Sequence, residues 1–491
     1  MIARAHRRRN DHLSRTHPSH AQLRRKRLRA LSAIAALALS AIAALALSGL
    51  GLSSGIALAQ APGGWSQFQG DAGHSGAAEA GPAPPYRQAW AFEAAQAEGG
   101  LSAPVIAGEL VLAVGREAVF AVDARTGEEV WRVARVPGPP APPAVAEVGG
   151  APAVLFTEGG GDAGAAVRAV ALADRRDLWE ARLEASSRTG VTVEGDRAYV
   201  GDVRGGVYAI ALASGAVGWR VETEGSATSP LAVSDGAVYA VTRGRSAPAV
   251  SVVALEASSG ERLWSASPAP GAAVASGPAV GDGRVVVGFA DRVVRALDAG
   301  SGSELWEERA NGIFSPAVAA AFADDDVLVA DIAGQVYRLD GATGAREWDH
   351  ALNDLVVRSS PVVVGGAVLL GLNDGRLVAL DAAQGDLVWE SDPAPGLVGA
   401  LAVAPGLVVA VKGGDGGRLA AYEHDPEGTL VRVPSPTTLD PGRQLLLALA
   451  SVALVAAAVV VPGRLAARRM GPASAALSPE EAAPASEEGA P

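Results

Sequence analysis

Eight of the nine tryptophans stand on one ladder. Trp90, Trp131, Trp179, Trp219, Trp264, Trp306, Trp348 and Trp389 are separated by 41, 48, 40, 45, 42, 42 and 41 residues. A chain that returns to the same residue at a fixed period of about 40–45 positions is built from repeated supersecondary units, none of which buries its apolar face alone. That period constrains the fold more than the length of 491 residues does, since length by itself allows two or three domains.

The eleven residues ending at each later tryptophan align as AVDARTGEEVW, AVALADRRDLW, AIALASGAVGW, ALEASSGERLW, ALDAGSGSELW, RLDGATGAREW and ALDAAQGDLVW. The position eight before the tryptophan is acidic in five of seven units (Asp123, Glu256, Asp298, Asp340, Asp381). The position four before it is glycine in six (Gly127, Gly215, Gly260, Gly302, Gly344, Gly385), with Arg175 the exception. The spacing predicts a hairpin in which the acid accepts bonds from turn N–H groups, the glycine supplies a positive φ, and the tryptophan sits on the returning strand. Upstream, blocks such as SAPVIAGELVLAVG and SSPVVVGGAVLLGL give a polar residue, a proline at a strand start and two short apolar runs around a turn. Four short strands per repeat is the blade of a β-propeller.

Seven units end at Trp131 through Trp389, and three strands of an eighth follow without a tryptophan. Trp90, in YRQAWAFEA, is a strand lacking a blade of its own, and its pairing with the last three strands would close an eight-bladed ring without exposed edges. TLVRV, residues 429–433, is the competing closing strand. The expected fold is therefore all-β, an eight-bladed propeller of four-stranded antiparallel blades over 87–433. The 60 glycines and 31 prolines suit such a turn-rich chain.

The repeat resembles the tryptophan-docking motif of the PQQ-repeat (pyrroloquinoline-quinone) propeller superfamily, and WSQFQGDAGHSG, residues 65–76, is similar to the segment that leads into the first strand of those proteins. The resemblance covers roughly 65–433. It implies tryptophans and glycines that dock neighbouring blades. The absence of cysteine and of obvious insertions places the chain closer to the non-enzymatic, BamB-like members than to the quinoprotein dehydrogenases, many of which cover the quinone with adjacent cysteines.

Both ends carry membrane signals. RRKRLR at 24–29 precedes 29 uncharged residues ending in Ala57-Leu58-Ala59, which reads as a signal peptide or an uncleaved anchor occupying 1–59. A lead-in (60–86) precedes the propeller and a linker (434–444) follows it. Residues 445–462 then read as a transmembrane helix, with Arg464, Arg468 and Arg469 marking the cytoplasmic side of a basic, then acidic and disordered tail (463–491). The expected location is a bacterial cell membrane with the propeller outside the cytoplasm.

Residues 1–30 carry a formal charge of +9 and residues 31–461 one of −20. So acidic a body argues against nucleic acid as partner, and the expected partner is another envelope protein. The absence of cysteine also excludes disulfides, thiolate metal sites and a lipidated-cysteine anchor. No catalytic residue is assigned. Gly51-Leu52-Ser53-Ser54-Gly55 matches a nucleophile elbow but lies in the signal segment. Arg188 and Arg358 precede innermost strands and can reach the central channel to bind an anion. Asn373 and Asp374 are candidates for holding a group there, as are Asn353 and Asp354, although Asn and Asp are also ordinary turn residues. The expected function is a non-catalytic binding or scaffold module for envelope proteins or an extracellular ligand, with no cofactor; the alternative is a PQQ-dependent dehydrogenase using PQQ and calcium in the central channel.

Overall fold

Residues 64–94, 100–160, 164–244, 250–267, 275–316, 318–352, 359–413 and 417–431 are described by the structure, a computed structural model. The signal segment, the linker, the apolar span 445–462 and the tail lie outside the described residues, as do Asn353, Asp354 and Arg358.

Eight antiparallel sheets follow one another along the chain. Blade 1 comprises Val105–Ala107, Leu110–Val114, Ala118–Asp123 and Glu129–Ala134, from the inside of the ring outward. Blades 2 to 7 repeat this order. In blade 4 the innermost strand is split into Gly225–Ala227 and Ala232–Ser234, both paired with Ala237–Gly244. Pro230, without an N–H to give to a ladder, falls in the gap.

Blade 8 settles the closure. Its inner three strands are Val398–Ala404, Leu407–Lys412 and Arg418–His424, and its outer strand is Tyr86–Glu93, which carries Trp90. The competing segment goes elsewhere: the Val431 N–H donates to the Val388 carbonyl, on the outer strand of blade 7, at 3.0 Å. Val388 is consequently 7% exposed, whereas its counterparts Val130, Leu263 and Leu305 are 53%, 51% and 47% exposed on open outer strands.

Between blades, six of the eight ladder indoles lie under the next blade's hairpin turn. The Trp306 N–H donates to the Gly341 carbonyl at 2.8 Å, and Trp90, Trp179, Trp219, Trp264 and Trp348 make the same bond to Ala124, Leu212, Ala257, Ala299 and Ala382. The glycine column has two reasons to be glycine. Gly302 holds φ +71°, and a Cβ there would stand 2.5 Å from the Trp264 ring. Arg175 takes φ +63° in the same column, and Trp131, the ladder tryptophan that precedes it, is only half-buried. The acids bind as turn caps: Asp123 Oδ1 accepts from the N–H groups of Arg125 and Thr126 at 3.0 and 2.7 Å. Bonds to the charged form, chiefly from the Thr126 N–H at Asp123 and from the Ser301 and Thr343 hydroxyls at Asp298 and Asp340, hold these carboxyls below the usual range.

The lead-in is woven into the ring. Carbonyls of Trp65, Ser66, Ala72, Gly73, Ser75 and Gly76 accept, at 2.7–2.8 Å, from the N–H groups of Ile106, Val145, Val233, Val280, Phe322 and Val363. These six donors come from the innermost strands of blades 1, 2, 4, 5, 6 and 7. Gln67 supplies blade 3, with its side-chain oxygen accepting from Val193 N–H at 2.8 Å. Each inner strand presents an edge to the channel, and the segment gives those edges acceptors. Gln69 reaches across to the carbonyls of Ala320 and Pro361, so the segment spans the channel.

Candidate functional site

Because adjacent strands are antiparallel, the first-to-second and third-to-fourth turns share one end of the ring. The second-to-third turns and the connections between blades share the other. The lead-in bonds residues beside the first turns, and Ala83 packs at the first turn of blade 7, near Gly365. The lead-in thus lies at one end, and the opposite end is the mouth of the ring.

The loops of that mouth are built on buried carboxylates. Asp202 Oδ1 accepts from the N–H groups of Arg204 and Gly206 at 2.7 and 2.9 Å, while Oδ2 accepts from the Tyr208 hydroxyl at 2.8 Å. Asp331 repeats the arrangement with Ala333, Gln335 and the Tyr337 hydroxyl, and adds Gly312 N–H at 2.6 Å from the preceding connection. Those tyrosine oxygens also accept, from Glu184 and Asn311 N–H groups, so each pair clamps a turn to a connection. Burial pushes both phenols up. A motif for the clamp is present in the sequence, Asp-x-x-Gly-x-Val-Tyr at 202–208 and 331–337, outside the eleven-residue tryptophan repeat.

Arg135 does similar work as a cation. Its buried guanidinium donates to the carbonyls of Gly115, Arg116, Gly138, Pro139 and Thr157, the shortest at 2.6 Å, and burial lowers its pKa to about 10. Beside it, a recess of about 440 Å³ opens across blades 1 to 3. Arg116 enters from the second turn of blade 1, and Arg188 and Ser186 from the connection leading to blade 3. Both arginines are exposed, and neither pairs with an acid among the described residues. Arg188 is the sequence candidate found at this recess; Arg116 was not singled out, because its surroundings depend on contacts between blades.

The other candidates divide differently. Asp374 accepts from the Arg376 side chain at 2.6 Å and from its N–H at 3.1 Å, and Arg376 continues to Glu390. Asp374 therefore shapes its own turn, next to an exposed Asn373. Among the described residues no three His, Cys, Asp or Glu side chains converge as a metal site would require. No residue among those described is assigned to hold a calcium-bound quinone, and no step is routed through one.

With fold and mouth in hand, the chain can be set beside known proteins. A family model described as outer membrane protein assembly factor BamB matches residues 86–166, 163–307, 249–396 and 290–431. The chain belongs to this BamB, or PQQ-like repeat, family. The sequence matches no curated protein. Solved structures share the BamB-family fold at low identity. BamB from Moraxella catarrhalis is 16% identical, with 70% of this chain and 99% of that one covered at a TM-score of 0.54. A europium-containing methanol dehydrogenase is 14% identical, with 74% and 98% covered and a TM-score of 0.61. A quinohemoprotein alcohol dehydrogenase from Pseudomonas putida HK5 is 16% identical, with 78% and 83% covered and a TM-score of 0.60. These likenesses establish the propeller alone, a fold that does not by itself assign an activity.

Proposed function

We propose that the chain is a membrane-tethered, extracytoplasmic propeller that binds an acidic segment of another envelope protein at its mouth and does no chemistry there. The observation that carries this reading is how charge is used at the mouth. Its buried carboxylates are committed to loop-shaping bonds, while Arg116 and Arg188 share one recess without acidic partners among the described residues. Two positive side chains in an otherwise acidic body steer a partner to one place on the ring. The basic start of the chain and the apolar runs at 31–59 and 445–461 support tethering and the outward orientation.

Reconstitution of the purified chain with PQQ and calcium tests the non-catalytic half of the proposal. The expected outcome is no saturable quinone binding and no dye-linked alcohol oxidation. Stoichiometric quinone uptake with turnover would make the channel an enzyme site and overturn the reading.

A further inference from the structure

The ring closes within blade 8, and at the junction of blades 7 and 8 the repeat breaks. At six other junctions a tryptophan lies under the glycine of the next blade's third turn. Blade 8 has no such turn, because its third and fourth strands come from distant parts of the chain. Trp389 is instead flanked edge-on by Tyr86, with ring centroids 5.1 Å apart, and by Tyr422, at 6.3 Å. A cavity of about 370 Å³ remains beside these rings, and Lys412 also lines it.

Lys412 is the only lysine after residue 26, in a chain that otherwise uses arginine for its cations. It is 5% exposed, with its ammonium 5.7 Å from the Tyr422 ring centroid, and no carboxylate among the described residues pairs with it. The Tyr422 hydroxyl is buried without a hydrogen-bond partner. A phenol hydroxyl so withdrawn from water is costly unless something else satisfies it, and the largely buried Lys412 stem holds an unpaired ammonium beside it. Glu390, on the wall, is already paired with Arg376. The other cation on the wall, Arg87, is paired with Glu423, which leaves the Lys412 ammonium as the unpaired charge beside the buried, unpartnered Tyr422 hydroxyl and the Trp389 and Tyr86 rings.

We propose that the seam cavity binds a small aromatic monocarboxylate. The carboxylate takes the Lys412 ammonium and the Tyr422 hydroxyl, and the ring packs against Trp389 and Tyr86. The volume suits a small ligand, and a compact ammonium suits a single carboxylate. Exposed Asp392 on the cavity wall disfavours a second negative charge on the ligand. The site shares no lining residue with the Arg116–Arg188 recess and stands or falls independently of it.

Titration calorimetry on the full chain, with benzoate, neutral benzamide and doubly charged phthalate as probes, tests the assignment. Benzoate should bind saturably, with benzamide and phthalate each about tenfold weaker or worse. Lys412→Met should weaken benzoate at least about tenfold and Tyr422→Phe about threefold, with melting curves confirming folded variants. No saturable benzoate binding, equal binding of benzoate and benzamide, or undiminished binding by folded Lys412→Met would each overturn it. If Lys412→Met fails to fold, the benzoate-to-benzamide ratio on the unaltered chain decides.

Discussion

At the scale of single residues, the docking glycines separate two costs that usually come together. Gly302 and Gly283 both hold φ +71°, but a Cβ at Gly302 would meet Trp264 at 2.5 Å while one at Gly283 would meet nothing within 4 Å. Gly283→Ala should cost about 1–2 kcal/mol for its left-handed backbone alone. Gly302→Ala should cost about 2 kcal/mol more, because the indole must shift. Urea unfolding of the two variants checks this, and equal costs would mean that the blades dock without that close contact. His74 makes a second residue-scale prediction. It is fully buried in the lead-in, its Nδ1 lies 2.9 Å from the Pro278 carbonyl, and its Nε2 has no partner. Desolvation lowers its pKa to about 4, against the smaller opposing influences of the Pro278 bond and Asp71. Unfolded, the imidazole takes up a proton as pH falls through about 6.5; folded, it stays neutral down to about 4. Its contribution to stability is therefore lost across that window, by roughly 2 kcal/mol between about pH 7.5 and about pH 5. Urea titrations at both pH values should show a smaller drop in His74→Asn, whose side chain tolerates the φ of +62° at this position.

Among the elements, the lead-in changes what holds the ring together. The tryptophan ladder joins each blade to the next, whereas residues 65–76 bond directly to the innermost strands of seven blades. Amide exchange measures this: the N–H groups of Ile106, Val145, Val233, Val280, Phe322 and Val363 should be protected in the full chain and exchange about 100-fold faster when residues 64–78 are deleted. Unchanged protection would show that the inner edges find acceptors elsewhere. The hairpin, its acid cap and its glycine were legible in the sequence because they recur and their spacing is local. The lead-in's role was not, since six of its seven ties use backbone carbonyls, which leave no side-chain pattern. The bond between Gln67 and Val193 spans 126 positions. The Asp202 and Asp331 clamps were readable as a second repeat motif, but the tryptophan register aligns the outer hairpins and not the turns at the mouth.

For the molecule as a whole, repetition accounts for the ring, and departures from it mark where binding is expected. The eight-bladed count and the pairing of Trp90's strand with blade 8 could be read from the ladder, because only that strand supplied the missing register residue. The meeting of Arg116 with Arg188, and of Lys412 with Tyr422 and Trp389, could not be, since each joins separate blades or strands and depends on ring closure. The central claim is that the mouth, and not the end that holds the lead-in, engages a partner. Site-specific photocrosslinking in membranes, from position 137 on the rim of the arginine recess and from position 283 at the lead-in end, tests it most directly. A discrete adduct with one envelope protein from position 137 alone, lost on Arg116→Glu, is the predicted result; adducts from position 283 alone, or from neither position, would contradict it.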